Sequence, residues 1–270
     1  MNCPKILVDA RQGGTTPGAY VPPTAPELDA VELAAFASSP ATSAKARTHA
    51  AAAGFEVADV PEWPGTAVLY EAAKRRGGGA YVIRRASKSR LIVQAPHTFF
   101  DEGTLPLGCA FFHTSDARAF FINTVHRYKA APPGEDQTAD VAHLERSLFQ
   151  SATLGALRSL GASTVIQLHG FGSERAMKAV VSSGEARAGV PHVDRVARAL
   201  DAVLGGGVLR FPADTKELGA TTNVQGKVVR ASGGVFLHVE LSDETRKLLI
   251  ADGSKRAAVF SALLEVRDSR

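Results

Sequence analysis

Four separated stretches of this chain hold residue types that work together at metal sites. They are Pro96-His97-Thr98-Phe99-Phe100-Asp101-Glu102-Gly103-Thr104, then Ile166-Gln167-Leu168-His169-Gly170, then Thr221-Thr222-Asn223, and last Val239-Glu240-Leu241-Ser242 with Arg246 just beyond. A histidine followed within a few residues by carboxylates, a lone histidine on a later apolar run and a glutamate near the C-terminus make a coherent set. Two imidazoles and one carboxylate hold Zn²⁺ and leave a fourth position for water. A further glutamate can take the proton from that water.

Each residue has a plainer reading beside the chemical one. His97 could cap the helix that follows it, and His169 could be a satisfied core residue. Glu240 ends the otherwise apolar run Val-Phe-Leu-His-Val, where an unpaired carboxylate is costly to bury, so it must meet an arginine, a metal or water. Strand alternation puts His238 on the same face as Glu240. Arg127 can grip a carboxylate bidentately, with His126 beside it; the alternative is a surface loop with an ion pair. Asp140 reads as a helix N-cap, which places His143 one turn in, where it could face the site. Arg246 and Asn223 either hold Glu240 or an acidic substrate group, or are solvated.

Other chemistries find less support. The glycine runs 77–79 and 205–207 lack the spacing of a phosphate loop and read as turns. No Gly-x-Ser-x-Gly elbow is present, and Cys109 lacks the neighbours of a catalytic thiol. The only other cysteine is Cys3, and neither fits a metal-finger spacing, so no disulfide framework is expected. The 270 residues carry a net charge of only +4 with the basic residues dispersed, which argues against nucleic acid and leaves room for an acidic, peptide-like substrate. No apolar run is long enough to span a membrane. The first nine residues are too short and polar for a signal peptide, so the chain is expected to be cytoplasmic, or exported with its leader absent.

Residues 1–25 are rich in Gly and Pro and read as a flexible arm. Residues 26–78 read as an N-terminal helical extension: two short helices over 27–53, a loop at 61–65 and a helix over 66–76. From residue 79 to 270 short β-branched runs alternate with helical periodicity. Strands are expected at 80–83, 91–95, 120–125, 164–168, 179–181, 208–211 and 235–240. Helices are expected at 104–113, 140–160, 192–204, 243–251 and 254–266, with a polar loop at 132–139. This alternation predicts one α/β domain with a mixed, mostly parallel sheet flanked by helices. In such folds sites gather at the carboxyl ends of strands, where His97, His126, Arg127, His169 and Glu240 all fall.

In their order and strand positions, Pro96-His97, Asp101/Glu102, Gly103-Thr104, His169-Gly170, Asn223 and Glu240-Leu241-Ser242 with Arg246 resemble the zinc carboxypeptidase-like hydrolases. Within these they resemble the poly-γ-glutamate hydrolase type, and more loosely the N-formylglutamate amidohydrolases. The resemblance spans about residues 90–250. It implies a phosphorylase/hydrolase-like fold, Zn²⁺ held by His97, an acid and His169, and Glu240 as general base and then acid. The family's spacing from His97 selects Glu102 as the third ligand, whereas alignment on Gly103-Thr104 selects Asp101; Glu102 is preferred slightly. Thr98-Phe99-Phe100 stands where the family pattern has glycines, and the phenylalanines would narrow or reshape the pocket. Hydrolysis of peptide-like or γ-glutamyl amides is the activity implied; a non-catalytic module binding acidic peptides or glycans is the alternative.

Overall fold

Runs such as Leu91-Ile92-Val93-Gln94-Ala95 are short, apolar and β-branched, the composition of strands covered on both faces. The computed structural model describes residues 3–37, 44–72, 76–131, 139–172 and 177–269. Within them, helices α1 (Lys5–Asp9), α2 (Ala25–Ala37) and α3 (Ala44–Ala52) precede strands β1 (Glu56–Asp59), β2 (Thr66–Tyr70), β3 (Ala80–Arg84) and β4 (Leu91–Ala95). Then come α4 (Thr104–Thr114), β5 (Ala119–Ile122), α5 (Leu148–Leu160), β6 (Thr164–Phe171), β7 (Ala179–Ser182) and α6 (Pro191–Leu204). The chain continues through β8 (Val208–Arg210), α7 (Val224–Ala231), β9 (Val235–Ser242), α8 (Asp243–Ala251) and α9 (Gly253–Leu264).

The nine strands form one sheet in the order β1-β2-β3-β5-β4-β6-β9-β7-β8. Its centre, β5-β4-β6-β9, is parallel, while β1, β2 and β3 run antiparallel on one side and β7 antiparallel to β9 on the other. The protein is therefore a single α/β domain with a large mixed sheet flanked by helices. Side chains alternate between two cores. Leu91, Val93 and Ala95 pack with Phe111 and Phe112 of α4, whereas Ile92 packs with Tyr81, Phe121 and Phe149 on the α2/α5 face. Because α4 and α5 lie on opposite faces, the chain reverses its winding at β4. That switch point is where an open α/β sheet leaves a crevice beyond its strand ends.

Four expectations are corrected. Residues 66–76 are not helical: Thr66–Tyr70 is β2, paired with β3, and residues 73–75 lie outside the described residues. A five-residue run buried along its length carries no period that separates strand from helix. So the stretch expected as a helical extension contributes two strands to the same sheet. The expected arm holds α1, with Leu7 fully buried in the main core. The helix expected over 140–160 starts only at Leu148, where Ser147 Oγ accepts from Gln150 N at 3.1 Å; Asp140 is not its cap. Finally, Cys3 and Cys109 form a disulfide, their Cα atoms 5.5 Å apart across 106 residues of chain, a pairing that no local spacing announces. The polar loop expected at 132–139 falls outside the described residues except for Ala139. Among the described residues no helix is long and apolar enough to cross a membrane.

Candidate metal centre

The parallel centre of the sheet delivers β4, β6 and β9 side by side, so their carboxyl ends bring His97, His169 and Glu240 to one edge. In register, His169 stands opposite Glu240, and Gln167 opposite both Gln94 and His238. After β4 the chain turns tightly. Asp101 N donates to His97 O at 2.8 Å, and Thr104 N and Oγ1 both donate to Asp101 O. Gly103, at φ 91°, supplies the left-handed residue from which α4 starts. This turn folds the Asp101 carboxylate back over the strand ends. Its Oδ2 lies 3.4 Å from His97 Nδ1 and 3.3 Å from His169 Nδ1, and all three residues are buried and grouped closely enough to share one ion. Glu102, the slightly preferred ligand from sequence, is exposed; its backbone oxygen accepts from Arg246 Nε at 2.6 Å. The structure thus gathers Asp101 with the histidines and leaves Glu102 outside.

Proton accounting shows what these atoms offer. His97 Nε2 is 2.8 Å from Asp140 Oδ1, and an ionised carboxylate only accepts, so Nε2 carries hydrogen. His97 Nδ1 lies 3.2 Å from an Arg127 guanidinium nitrogen, which only donates. Asp101 Oδ2 is buried with no hydrogen-bond partner among the described residues. A buried acceptor in that condition is unfavourable unless positive charge reaches it. The surroundings carry the same demand: burial alone would lower His97, but the Asp101 and Asp140 carboxylates beside its two ring nitrogens outweigh it and raise its pKa. Asp101 is likewise held well below the carboxylate range, burial being outweighed by His169 and His97. His169, buried and beside His97, falls to about 4. Two imidazoles and a carboxylate converging in this way fit a borderline cation such as Zn²⁺.

Glu240 is a different kind of acid. Burial, then the charge of Asp101, push it up to about 8, and its Oε2 also lacks a hydrogen-bond partner among the described residues. Neighbouring His238 is fully enclosed, with its Nε2 3.6 Å from Glu240 Oε1, beyond hydrogen-bond reach. Burial drives its pKa far down, which leaves it a neutral wall to Glu240, its ring 4.5 Å from that of His169.

The remaining sequence candidates separate. Arg127 is at the site: one nitrogen meets His97 and the other pairs with Asp140. His143 Nδ1 sits 3.0 Å from Asp140, on the open side. His126 lines the rim, its Nδ1 accepting from Tyr128 N and Lys129 N, its ring edge-on to Phe100. Arg246 does not face the crevice freely; it donates to the carbonyls of Glu102, Phe171 and Leu241 and ties the turn after β4 to the ends of β6 and β9. Gly170 is required beneath it, since a Cβ there would lie 2.1 Å from the guanidinium. Asn223 caps α7 through Gly226 N and donates to Gln167. Of the two phenylalanines, Phe99 turns to the N-terminal segment, under the Arg11 guanidinium at 3.9 Å. Phe100 stands at the rim, half exposed, against Tyr128.

Two residues escaped the sequence reading. Asp140 looked like a helix cap, and Gln167 looked like part of an apolar strand. The available signal for Gln167 was a buried amide two residues before His169 in an otherwise apolar run.

The chain matches no protein-family model and no curated protein. It is similar in fold to several solved structures. One is an aspartoacylase family protein from Mesorhizobium loti, at 12% identity and TM-score 0.47, covering 79% of this chain and 70% of that one. Another is a bacteriophage poly-γ-glutamate hydrolase, at 11% identity and TM-score 0.44, covering 71% and 89%. A third is an N-formylglutamate amidohydrolase from Ralstonia eutropha, at 13% identity and TM-score 0.42, covering 71% and 97%.

Proposed function

We propose that this protein is a zinc-dependent hydrolase of peptide-like amide bonds, γ-glutamyl amides among them. The observation that carries the reading is the convergence of His97 Nδ1, His169 Nδ1 and Asp101 Oδ2 on one buried point, with the Asp101 oxygen otherwise unsatisfied. Zn²⁺ held there by His97, Asp101 and His169 would polarise the scissile carbonyl and acidify a water. Glu240, at the adjacent strand end, would accept the proton of an attacking water and pass it to the leaving amine. Burial raises its pKa toward neutrality, which suits a group that must hold and release a proton near pH 7. Arg127 pairs with Asp140 and has one nitrogen beside His97 Nδ1; with that lone pair given to zinc, the nitrogen would be released to meet a carbonyl oxygen or a substrate carboxylate.

Elemental analysis of wild type beside His97→Ala and His169→Ala tests the metal; hydrolysis of γ-glutamyl and α-peptide amides, with and without chelator, tests the reaction. About one zinc per chain, lost in both variants, is expected. Protein that takes up no zinc when it is supplied would overturn the proposal and favour a non-catalytic binding module instead.

A further inference from the structure

Behind His169 lies a chain of buried polar side chains: the amides of Gln94, Gln167 and Gln225 and the hydroxyl of Thr153 are fully enclosed, and the amides of Gln150 and Asn223 nearly so. Glutamine and asparagine amides can be turned either way, so their orientation matters. Here three backbone groups settle it independently. Gln225 Nε2 donates to Val141 O at 2.9 Å, and a carbonyl only accepts, so Gln225 turns its oxygen to Gln167 Nε2, 3.3 Å away. Thr153 Oγ1 donates to Phe149 O and must therefore accept from Gln94 Nε2, which turns the Gln94 oxygen to Gln167 Nε2 at 2.9 Å. Asn223 Oδ1 accepts from Gly226 N, so its amide nitrogen faces Gln167 Oε1 at 2.6 Å. All three require Gln167 to present nitrogen to Gln94 and Gln225, and oxygen to Asn223.

That oxygen also lies 2.8 Å from His169 Nε2. We infer that Gln167, oriented by the Gln94–Gln225–Asn223 network, is a positioning residue that fixes His169 in the Nε2–H tautomer and keeps its Nδ1 lone pair for a cation, against the competing acceptor Asp101 Oδ2 at 3.3 Å. A neutral amide does here what a carboxylate does for His97. It sets the tautomer and ring angle of a metal-ligating histidine from behind, without placing a second charge in a fully buried row. The network reaches α5 through Gln150 and Thr153, and α7 through Asn223 and Gln225, so both helices bear on one ring nitrogen. The consequence for metal rests on the proposed function; the tautomer does not.

The test is the ¹⁵N–¹H correlation spectrum of the metal-free protein, which reads the tautomer of each histidine, with zinc titration as a separate measurement. His169 is expected as Nε2–H in wild type. Gln167→Met, which removes the acceptor at similar volume, is expected to shift His169 toward Nδ1–H and to raise the zinc dissociation constant by ~10–100-fold. Gln167→Glu gives up the donors to Gln94 and Gln225 but keeps an acceptor at His169, and is expected to keep the Nε2–H form, a rescue that a merely space-filling role would not show. A wild-type His169 found as Nδ1–H overturns the inference even if no variant folds. So does a tautomer unchanged in Gln167→Met. If His169 is Nε2–H and no zinc binds, the proposed function fails while the network assignment stands.

Discussion

Two buried glutamates divide this molecule into a region that is satisfied and one that is not. Glu71 lies just after β2, in the antiparallel half of the sheet, and its carboxylate accepts from Gly78 N at 2.9 Å, Arg76 N at 3.1 Å and Arg76 Nε at 3.2 Å. The glycine run at 77–79 wraps it so closely that a Cβ on Gly78 would lie 2.7 Å from its oxygen. Glu240 is buried to a similar degree in the parallel half, yet one of its oxygens finds no partner among the described residues and its neighbour His238 stays out of reach. Both pKa values rise because both groups are buried. What separates them is hydrogen bonding. A charge that is fully bonded holds structure together, whereas one left short of partners waits for a proton or a substrate.

The two should therefore respond to substitution in opposite ways. Glu240→Gln is expected to lower kcat by ~10²–10⁴-fold while zinc content stays near that of wild type and thermal stability does not fall. Turnover that survives this change sinks the general-base assignment. Glu71→Ala is expected to cost about 3–5 kcal/mol of folding stability, because it leaves the Arg76 guanidinium and the Gly78 N–H without their partner. Chemical denaturation measures it, and residual folded protein should keep its zinc and its kcat. Loss of kcat with unchanged stability in that variant would erase the contrast between the two regions.

The same contrast explains what was legible in the sequence. The strand ends carrying His97, His169 and Glu240 were readable because parallel, two-sided burial makes β4, β6 and β9 apolar until a polar residue interrupts them. Which of Asp101 and Glu102 faces the histidines was not, because it depends on how a tight turn after Pro96 rolls the chain, and one residue's difference reverses which acid faces inward. Arg246 read as a substrate residue because its type allows it; only the fold reveals the three backbone carbonyls it serves. Asp140 and Gln167 bond from behind, across 43 residues to His97 and two residues along β6 to His169, and such partners have no local pattern. In the antiparallel half, β2 was lost to a helical reading because its five residues alternate in nothing.

The N-terminal segment offers a smaller test of whether the satisfied region supports the other. The Cys3–Cys109 disulfide ties it to α4, and Arg11 reaches Thr98 O at 2.8 Å, beside His97. Cys109→Ala is expected to lower stability by about 2–4 kcal/mol through the long loop it opens. Zinc stoichiometry should hold in the folded variant, as measured by elemental analysis after denaturant titration; loss of zinc without loss of stability would make the segment part of the site.

The smallest effect concerns Arg76 and its two acids. Burial acts to raise Glu27, but hydrogen bonds from Thr24 and Arg76 outweigh it and lower the pKa. Glu71 ends up raised, because there burial outweighs the bonds from Gly78 and Arg76. The signs follow. A depressed acid contributes stability that is present above its unfolded value and lost as pH falls through the folded one, so Glu27 stabilises at neutral pH and stops doing so in acid. A raised acid does the reverse: its penalty is in full force above the folded pKa and disappears as pH falls below the unfolded one, about 4.3 for an unperturbed glutamate. Denaturant midpoints of wild type, Glu27→Gln and Glu71→Gln, measured from pH 3 to pH 7, should therefore differ in slope with opposite sign. Glu27→Gln flattens the loss of stability on acidification, and Glu71→Gln steepens it. If both variants change the slope in the same direction, Arg76 is not holding one acid below its ordinary value while burial keeps the other above it, and the account of Glu71 as a satisfied but still desolvated charge fails with it.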